Sequence, residues 1–340
     1  MRVIKLFFYS IVFILFFACK KEEVATPIAI ADFSFYQPEY FPTVAYTFKN
    51  NQLTKARFEL GRSLFHDPIL SSDSIVSCES CHAQAHAFAD HNVALSKGVG
   101  GTLGTRNSPS IANMAWSPAF MWDGGVNHIE VFSASPITNP LEMNEDMANV
   151  VSKLNRSKFY KNKFKEAYSV DVITDQKMLQ ALAQYMAMIV SADSKYDQVR
   201  KGKAVFTSSE KNGYQLFLSN CASCHKEPLF TDFSYRNNGL DEIPKDIGRE
   251  RISQNVSDRG KFKVPSLRNV ELTYPYMHDG RYKNLSQVLD HYTIGIKQSG
   301  SLDEGLKNGI QLTNSEKEDL IAFLNSLSDY SLIGNSNLSQ

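Results

Sequence analysis

No cysteine in this 340-residue chain is left over for a disulfide framework. Of the five, Cys78, Cys81, Cys221 and Cys224 fall into two Cys-x-x-Cys-His runs, and Cys19 stands near the N-terminus. Lys and Arg total 36 against 36 Asp and Glu, and no long basic block occurs. Phosphate binding needs a concentrated basic surface, so nucleic acid is excluded as a partner. Glycine at 18 and proline at 12 are too few for a collagenous or low-complexity chain. The apolar run over residues 6–18 has 13 residues, short of the roughly 20 that a membrane-spanning helix requires. Strand-type alternation is sparse throughout. What remains, 43% apolar and 11% aromatic, is enough for two cores of about 150 residues each.

Arg2 and Lys5 ahead of the apolar run mark residues 1–18 as an export signal peptide. Its end, Phe17-Ala18-Cys19, resembles the lipobox of bacterial lipoproteins, with Phe16 where Leu is usual. That resemblance implies lipidation of Cys19 and attachment to a membrane through acyl chains. Loss of Arg2 and Lys5 leaves the mature chain with two more acidic than basic side chains. Residues 19–50 carry Pro27, Pro38 and Pro42 and no clear period, which reads as a lipid-anchored tether. Lys21-Glu22-Glu23 also looks like a surface-export tag, so the location is the periplasm or cell envelope, with the cell surface as an alternative.

In Cys78-Glu79-Ser80-Cys81-His82 and Cys221-Ala222-Ser223-Cys224-His225, two thiols can add to the vinyl groups of one haem while the adjacent His reaches its iron. The pattern therefore calls for two covalently bound c-type haems. A zinc ribbon would bring four ligands close together, whereas these pairs lie 143 residues apart and each carries a His that zinc leaves unexplained. A thioredoxin-like pair would need a βαβ setting that neither segment shows.

An internal repeat supports one haem per half. Gly61-Arg62-Ser63-Leu64-Phe65 precedes the first motif and Gly213-Tyr214-Gln215-Leu216-Phe217 the second, each expected to end a helix. Apolar residues at Leu53, Ala56, Leu60 and Leu64 predict a helix over 53–65, stopped by Pro68. Thr207-Ser208-Ser209-Glu210 and Thr313-Asn314-Ser315-Glu316 have the shape of capping boxes that start two further helices. Residues 178–189 predict a strongly apolar core helix between the halves. The fold class is mainly α, two cytochrome c-like haem domains with long ordered loops. The expected division is a peroxidatic haem domain over 51–172 and an electron-transfer haem domain over 173–335.

Over nearly all of the mature sequence the chain resembles the bacterial di-haem cytochrome c peroxidase and MauG family. The residues that carry the resemblance include Gly61-Arg62-x-Leu64-Phe65-x-Asp67-Pro68, Arg106-Asn107-x-Pro109-Ser110, Trp122-Asp123-Gly124 and Asn139-Pro140-x-Glu142-Met143. Val264-Pro265-Ser266-Leu267-Arg268-Asn269 and Tyr276-Met277-His278-Asp279-Gly280-Arg281 extend it through the second half. The resemblance implies His82 as proximal ligand of the haem that meets peroxide and His225 as that of the haem that relays electrons. Val99 falls where better-known peroxidases place a distal His, which implies an open iron face; His86 and His91 are alternative ligands there. Glu142 is the implied acid-base residue, with capping of a helix near Asn144 as its structural alternative and Glu130 as a second candidate. Phe132 replaces a helper Gln. Trp122 is the implied aromatic between the haems, and Trp116 reads as core. Tyr292 is the implied sixth ligand of the second haem, with Met277 as its rival. The resemblance also implies a calcium ion bound by the Asn107 side chain and the Thr273 and Pro275 carbonyls, a set of oxygen ligands that suits this cation.

The leading expectation is an exported peroxidase that reduces hydrogen peroxide with electrons from a small donor protein such as a cytochrome c. MauG-like oxidation of a protein or small-molecule substrate is the second, and a non-enzymatic envelope electron carrier the third. A homodimer is a possible assembly.

Overall fold

The computed structural model describes residues 33–340. Cys19, the export signal and the first part of the tether lie outside the described residues. From residue 33 on, the segment expected to be a tether instead packs on the first core. The reason is its aromatics: Phe35 and Phe41 lie with ring centroids 5.4 and 5.0 Å from Trp116, and Phe33 meets Phe58. Burying such rings stabilises more than leaving them in water. Trp116 is core, as expected, and its indole donates to the Pro42 carbonyl at 2.8 Å.

Two helix crossings organise the two halves. In the first, Lys55–His66 packs on Asp175–Ala187. In the second, Ser208–Asn220 packs on Asn314–Asn325. The glycines of the sequence repeat sit at these crossings: a Cβ on Gly61 would lie 2.0 Å from the Ala181 oxygen, and one on Gly213 1.9 Å from the Asp319 oxygen. Only hydrogen at those positions lets the backbones approach so closely. Thr54 caps the first helix, and both expected capping boxes form, Thr207 with Glu210 and Thr313 with Glu316. Asp67 ends the first helix just before Pro68.

The Asp175–Ala187 helix, which the expected division at 172/173 assigns to the second half, packs in the core of the first. Its buried residues, from Met178 to Ala187, belong to the first core with Phe58, Leu64 and Phe65. It is apolar on most of its circumference, and the first half supplies the facing surface. The chain end returns to the same core through Leu332 and Leu338. The second core gathers Tyr196, Phe217, Phe230, Leu285, Leu320 and Phe323. The described strands are two residues each, Tyr235–Arg236 antiparallel to Phe262–Lys263, with Tyr235 opposite Lys263.

Charged and polar ties join the halves. Arg268 forms a buried bidentate pair with Asp197, whose carboxylate also accepts from the Tyr40 hydroxyl at 2.7 Å and from the Ser194 amide and hydroxyl. Asn269 donates to the Ser191 hydroxyl and accepts from the Asp329 amide. Arg106 bonds Asp123 and, through two nitrogens, Asp246, while Arg251 also reaches Asp123. The neighbouring guanidinium groups hold the Asp123 carboxyl below the usual carboxylate range against the opposing effect of burial.

A longer repeat than the sequence disclosed appears in the backbone. Residues 109–126 and 265–282 share Pro109/Pro265, Ser110/Ser266, Asn113/Asn269, Met121/Met277, Asp123/Asp279 and Gly124/Gly280. Asn113 and Asn269 both have φ 61°, Met121 and Met277 have φ 65° and 75°, and both glycines are also left-handed.

Candidate active site

Each Cys-x-x-Cys-His run makes the same tight turn. His82 N–H donates to the Cys78 carbonyl at 3.0 Å, and His225 N–H to the Cys221 carbonyl at 2.9 Å. Each ring is aimed by its Nδ1: His82 meets the Phe88 carbonyl at 3.1 Å, and His225 meets the Phe230 and Pro265 carbonyls, each at 3.1 Å. A carbonyl at Nδ1 fixes the proton there and leaves Nε2 as the free lone pair, the arrangement of a metal-binding imidazole. Ser110 and Ser266 brace the two carbonyl-bearing loops alike, donating to Ala87 and Leu229 at 2.6 Å.

The residues fit two thioether-linked haems. The four cysteines form no disulfide. Burial pushes the Cys78 and Cys221 thiols up to about 12 and the Cys81 thiol to about 11. Such sites disfavour the thiolates that zinc would need, whereas a thioether carries no charge. Burial also holds both imidazoles below their ordinary range, which keeps them in the neutral, ligating form. A cavity of about 340 Å³ lies against Cys221, Cys224 and His225 and runs past Trp122 to Met114 and Phe132 of the first half.

In the first half, Glu142 and Val99 are brought together. Val99 N–H donates to the Glu142 carbonyl at 2.7 Å, and the close approach depends on Gly98, whose Cβ would sit 2.2 Å from the Leu141 oxygen. Glu142 does not cap a helix. The helix Met147–Arg156 begins later and is capped by Asp146. Instead Glu142 Oε1 accepts from the Asn139 amide at 2.7 Å, and burial raises its carboxyl above the usual range. Its carboxylate is among the charges that, after burial, raise the Cys81 thiol. Glu130 is engaged elsewhere, accepting from the Tyr46 hydroxyl at 2.7 Å. His86 and His91 stack on each other at 3.5 Å, and His91 turns toward Tyr274. His66 bonds Glu79 and the Leu338 carbonyl, and His128 caps a short helix.

Trp122 lies at the junction of the halves. Its indole donates to the Asn107 carbonyl at 2.8 Å, and its own carbonyl accepts from Lys263 N–H at 2.7 Å. Asn107, Thr273 and Pro275 line the same cavity. The Asn107 amide nitrogen points at the Val93 and Ala94 carbonyls, leaving Oδ1 as an acceptor. Among the described residues no cluster of His, Cys, Asp or Glu is placed to hold a metal, so any cation here would rest on neutral oxygens.

Met277 and Tyr292 converge on the cavity that His225 also lines. The Asn238 amide nitrogen lies 3.4 Å from both the Met277 sulfur and the Tyr292 hydroxyl. Burial pushes the Tyr292 phenol up to about 12, with the Asn238 hydrogen bond opposing it. Tyr292 sits in a π-helical turn, His291–Gly295, that continues the Leu285–Asp290 helix. Asn238 and Lys263 were not legible from the sequence: an Asn in a turn and a Lys in a strand are ordinary solvent-facing choices, and only the cavity gives them a role.

Two paired-thiol-and-histidine turns of the same form, the second lining a cavity that runs to an aromatic at the junction of the halves, define a di-haem c-type oxidoreductase. Residues 55–205 match the family model for di-haem cytochrome c peroxidase, and residues 210–328 that for cytochrome c. The methylamine utilization protein MauG of Methylophilus methylotrophus is 35% identical over 82% of this chain and 84% of its own length. Cytochrome c551 peroxidase of Nitrosomonas europaea is 34% identical, covering 79% of each. The crystal structure of a MauG-like protein associated with microbial copper homeostasis superposes with a TM-score of 0.84 at 30% identity, over 91% of this chain and 99% of that one. The chain belongs to the di-haem cytochrome c peroxidase and MauG family.

Proposed function

We propose that the protein is an exported, lipid-anchored peroxidase that reduces hydrogen peroxide in its first half with electrons received through its second. His82 and His225 are the proximal haem ligands, with Cys78, Cys81, Cys221 and Cys224 as attachment points. When bound, the haem iron supplies the electrons and the Lewis acidity for cleaving the O–O bond. The chain's own contribution is the proton. Glu142 keeps Oε1 on the Asn139 amide, so Oε2 is the atom that takes a proton from the near peroxide oxygen and returns it to the departing one. The observation that carries this reading is the pinning of Glu142 against Val99, a residue that cannot ligate iron. Trp122, bonded to both halves, is the aromatic step between them. Asn107, Thr273 and Pro275 hold a calcium ion at the same junction, water completing its shell. A cytochrome c is the donor, and the acyl chain on Cys19 holds the protein at the envelope. No helix among the described residues is long and apolar enough to cross a membrane.

The test is steady-state oxidation of a reduced cytochrome c by peroxide with the two-haem protein. Peroxide-dependent turnover is expected; its absence with both haems bound overturns the reading. A second reading, MauG-like oxidation of a protein or small molecule, is supported by the Asn238 donor at Tyr292, because a hydrogen bond to a phenolate stabilises the anionic ligand. Slow cytochrome c oxidation with rapid peroxide consumption would favour it.

A further inference from the structure

The cavity between the halves is lined by several cations, and all but one are already neutralised. Arg236 bonds Asp232 and Asp303, and Arg268 bonds Asp197. Among the described residues Lys263 has no such partner. From the second half its Nζ crosses to the first, donating to the Ala119 carbonyl at 2.7 Å, with the Ser117 hydroxyl at 3.5 Å and the Phe120 ring centroid at 6.0 Å. Asp123, the acid whose charge it feels, is taken by Arg106 and Arg251. No Asp or Glu side chain is among the residues lining the cavity.

An ammonium has three donors, and here one strong and one long acceptor serve them. A buried charge without a counter-charge is costly, and burial pushes Lys263 down to about 8. The cost is relieved if the ligand that fills the cavity brings a carboxylate, and haem carries two. We infer that Lys263 pairs with a haem propionate carboxylate beside Trp122 and so places a positive charge between the two redox centres. The inference rests on the two-haem reading above. The side chain is a positioning and charge-tuning residue that acts through the cofactor.

A cation next to a redox centre favours its reduced form, so removing it lowers the potential. In the holoprotein, Lys263→Met is expected to shift the oxidised-to-reduced ratio of at least one haem about tenfold toward oxidised at fixed potential, a fall of about 59 mV for a one-electron couple. Lys263→Arg is expected to keep both potentials at wild-type values. Spectroelectrochemical titration reads both, and the alkaline pyridine spectrum of each sample counts its haems. A sample with fewer than two haems in the wild type refutes the function reading. Unchanged potentials in Lys263→Met with two haems bound refute the ion pair. Should Lys263→Met fail to accumulate, Lys263→Gln is read the same way, together with the propionate-bending bands of its resonance Raman spectrum; bands and potentials unchanged from wild type overturn the inference.

Discussion

Replacing Gly61 or Gly213 by alanine tests the claim that the repeat glycines exist to let two helices touch. In an exposed helix interior the change would stabilise by about 1 kcal/mol, since glycine is the poorer helix former. Here the added Cβ would lie 2.0 Å from the Ala181 oxygen in one case and 1.9 Å from the Asp319 oxygen in the other, where real Cβ contacts begin near 3.0 Å. Each helix pair must therefore part locally by about 1 Å, and the neighbour that must yield is backbone, not the end of a flexible side chain. Overpacking of this kind costs about 1–3 kcal/mol, and a backbone clash belongs at the upper end. The net loss is about 2 kcal/mol for either variant, which for a chain of this size lowers Tm by roughly 3 °C. Thermal unfolding followed by circular dichroism reads it, with Gly300→Ala as control: no atom lies within 4 Å of a Cβ there, and its φ is ordinary. If Gly61→Ala and Gly213→Ala melt at or above the wild-type temperature, the close-crossing argument is wrong.

Three other variants probe the site and the seam between the halves. Glu142→Gln is expected to reduce kcat with peroxide by about 10²–10⁴-fold while leaving haem content intact. Because burial raises the Glu142 carboxyl and the base form is the active one, wild-type kcat/KM for peroxide should fall with decreasing pH at a pH above that of an ordinary glutamate, and the variant should lack this limb. Tyr292→Met is expected to raise the potential of the second haem, since a thioether favours the reduced iron more than a phenolate does; an unchanged potential removes Tyr292 as ligand. Arg268→Leu strands the buried Asp197 carboxylate and is expected to destabilise by about 3–5 kcal/mol in chemical denaturation, with Asp197→Leu in the same chain restoring part of it.

The parts of the fold that were legible in the sequence are those set by local chemistry. Thr207 with Glu210 and Thr313 with Glu316 announce helix starts because the reciprocal bonds involve four consecutive residues, and both form. The haem-attachment turns are likewise local. What the sequence concealed depends on surfaces brought together from afar. The Asp175–Ala187 helix has apolar residues on most faces, so its pattern could not say which half would cover it; Gly61 decides the matter from over a hundred residues away. Residues 33–50 lack a period and so read as a tether, yet their aromatics find Trp116 and Phe58. At the site, the pairing of Glu142 with Val99 needs Gly98, and the absence of a carboxylate bonded to Lys263 among the described residues shows only once the halves are packed together.

The backbone repeat also bears on the choice between Met277 and Tyr292. Met277 has a counterpart in Met121, with the same left-handed conformation, one residue after a cavity-lining aromatic and three before a left-handed glycine, and Met121 borders the same cavity from the other half. A methionine recurring at one point of a duplicated loop is accounted for by the loop's own packing, whether or not iron lies nearby. Tyr292 is placed by another device. The π-helical turn His291–Gly295 inserts a residue into the end of a helix, and His291 secures that turn by bonding the Asn238 carbonyl at 2.9 Å, while the Asn238 side chain meets the Tyr292 hydroxyl. One residue thus anchors the turn through its backbone and supports the phenol oxygen through its amide. That arrangement is the ground for proposing Tyr292 rather than Met277 as ligand of the second haem, and the potential of Tyr292→Met is the measurement that discriminates between them.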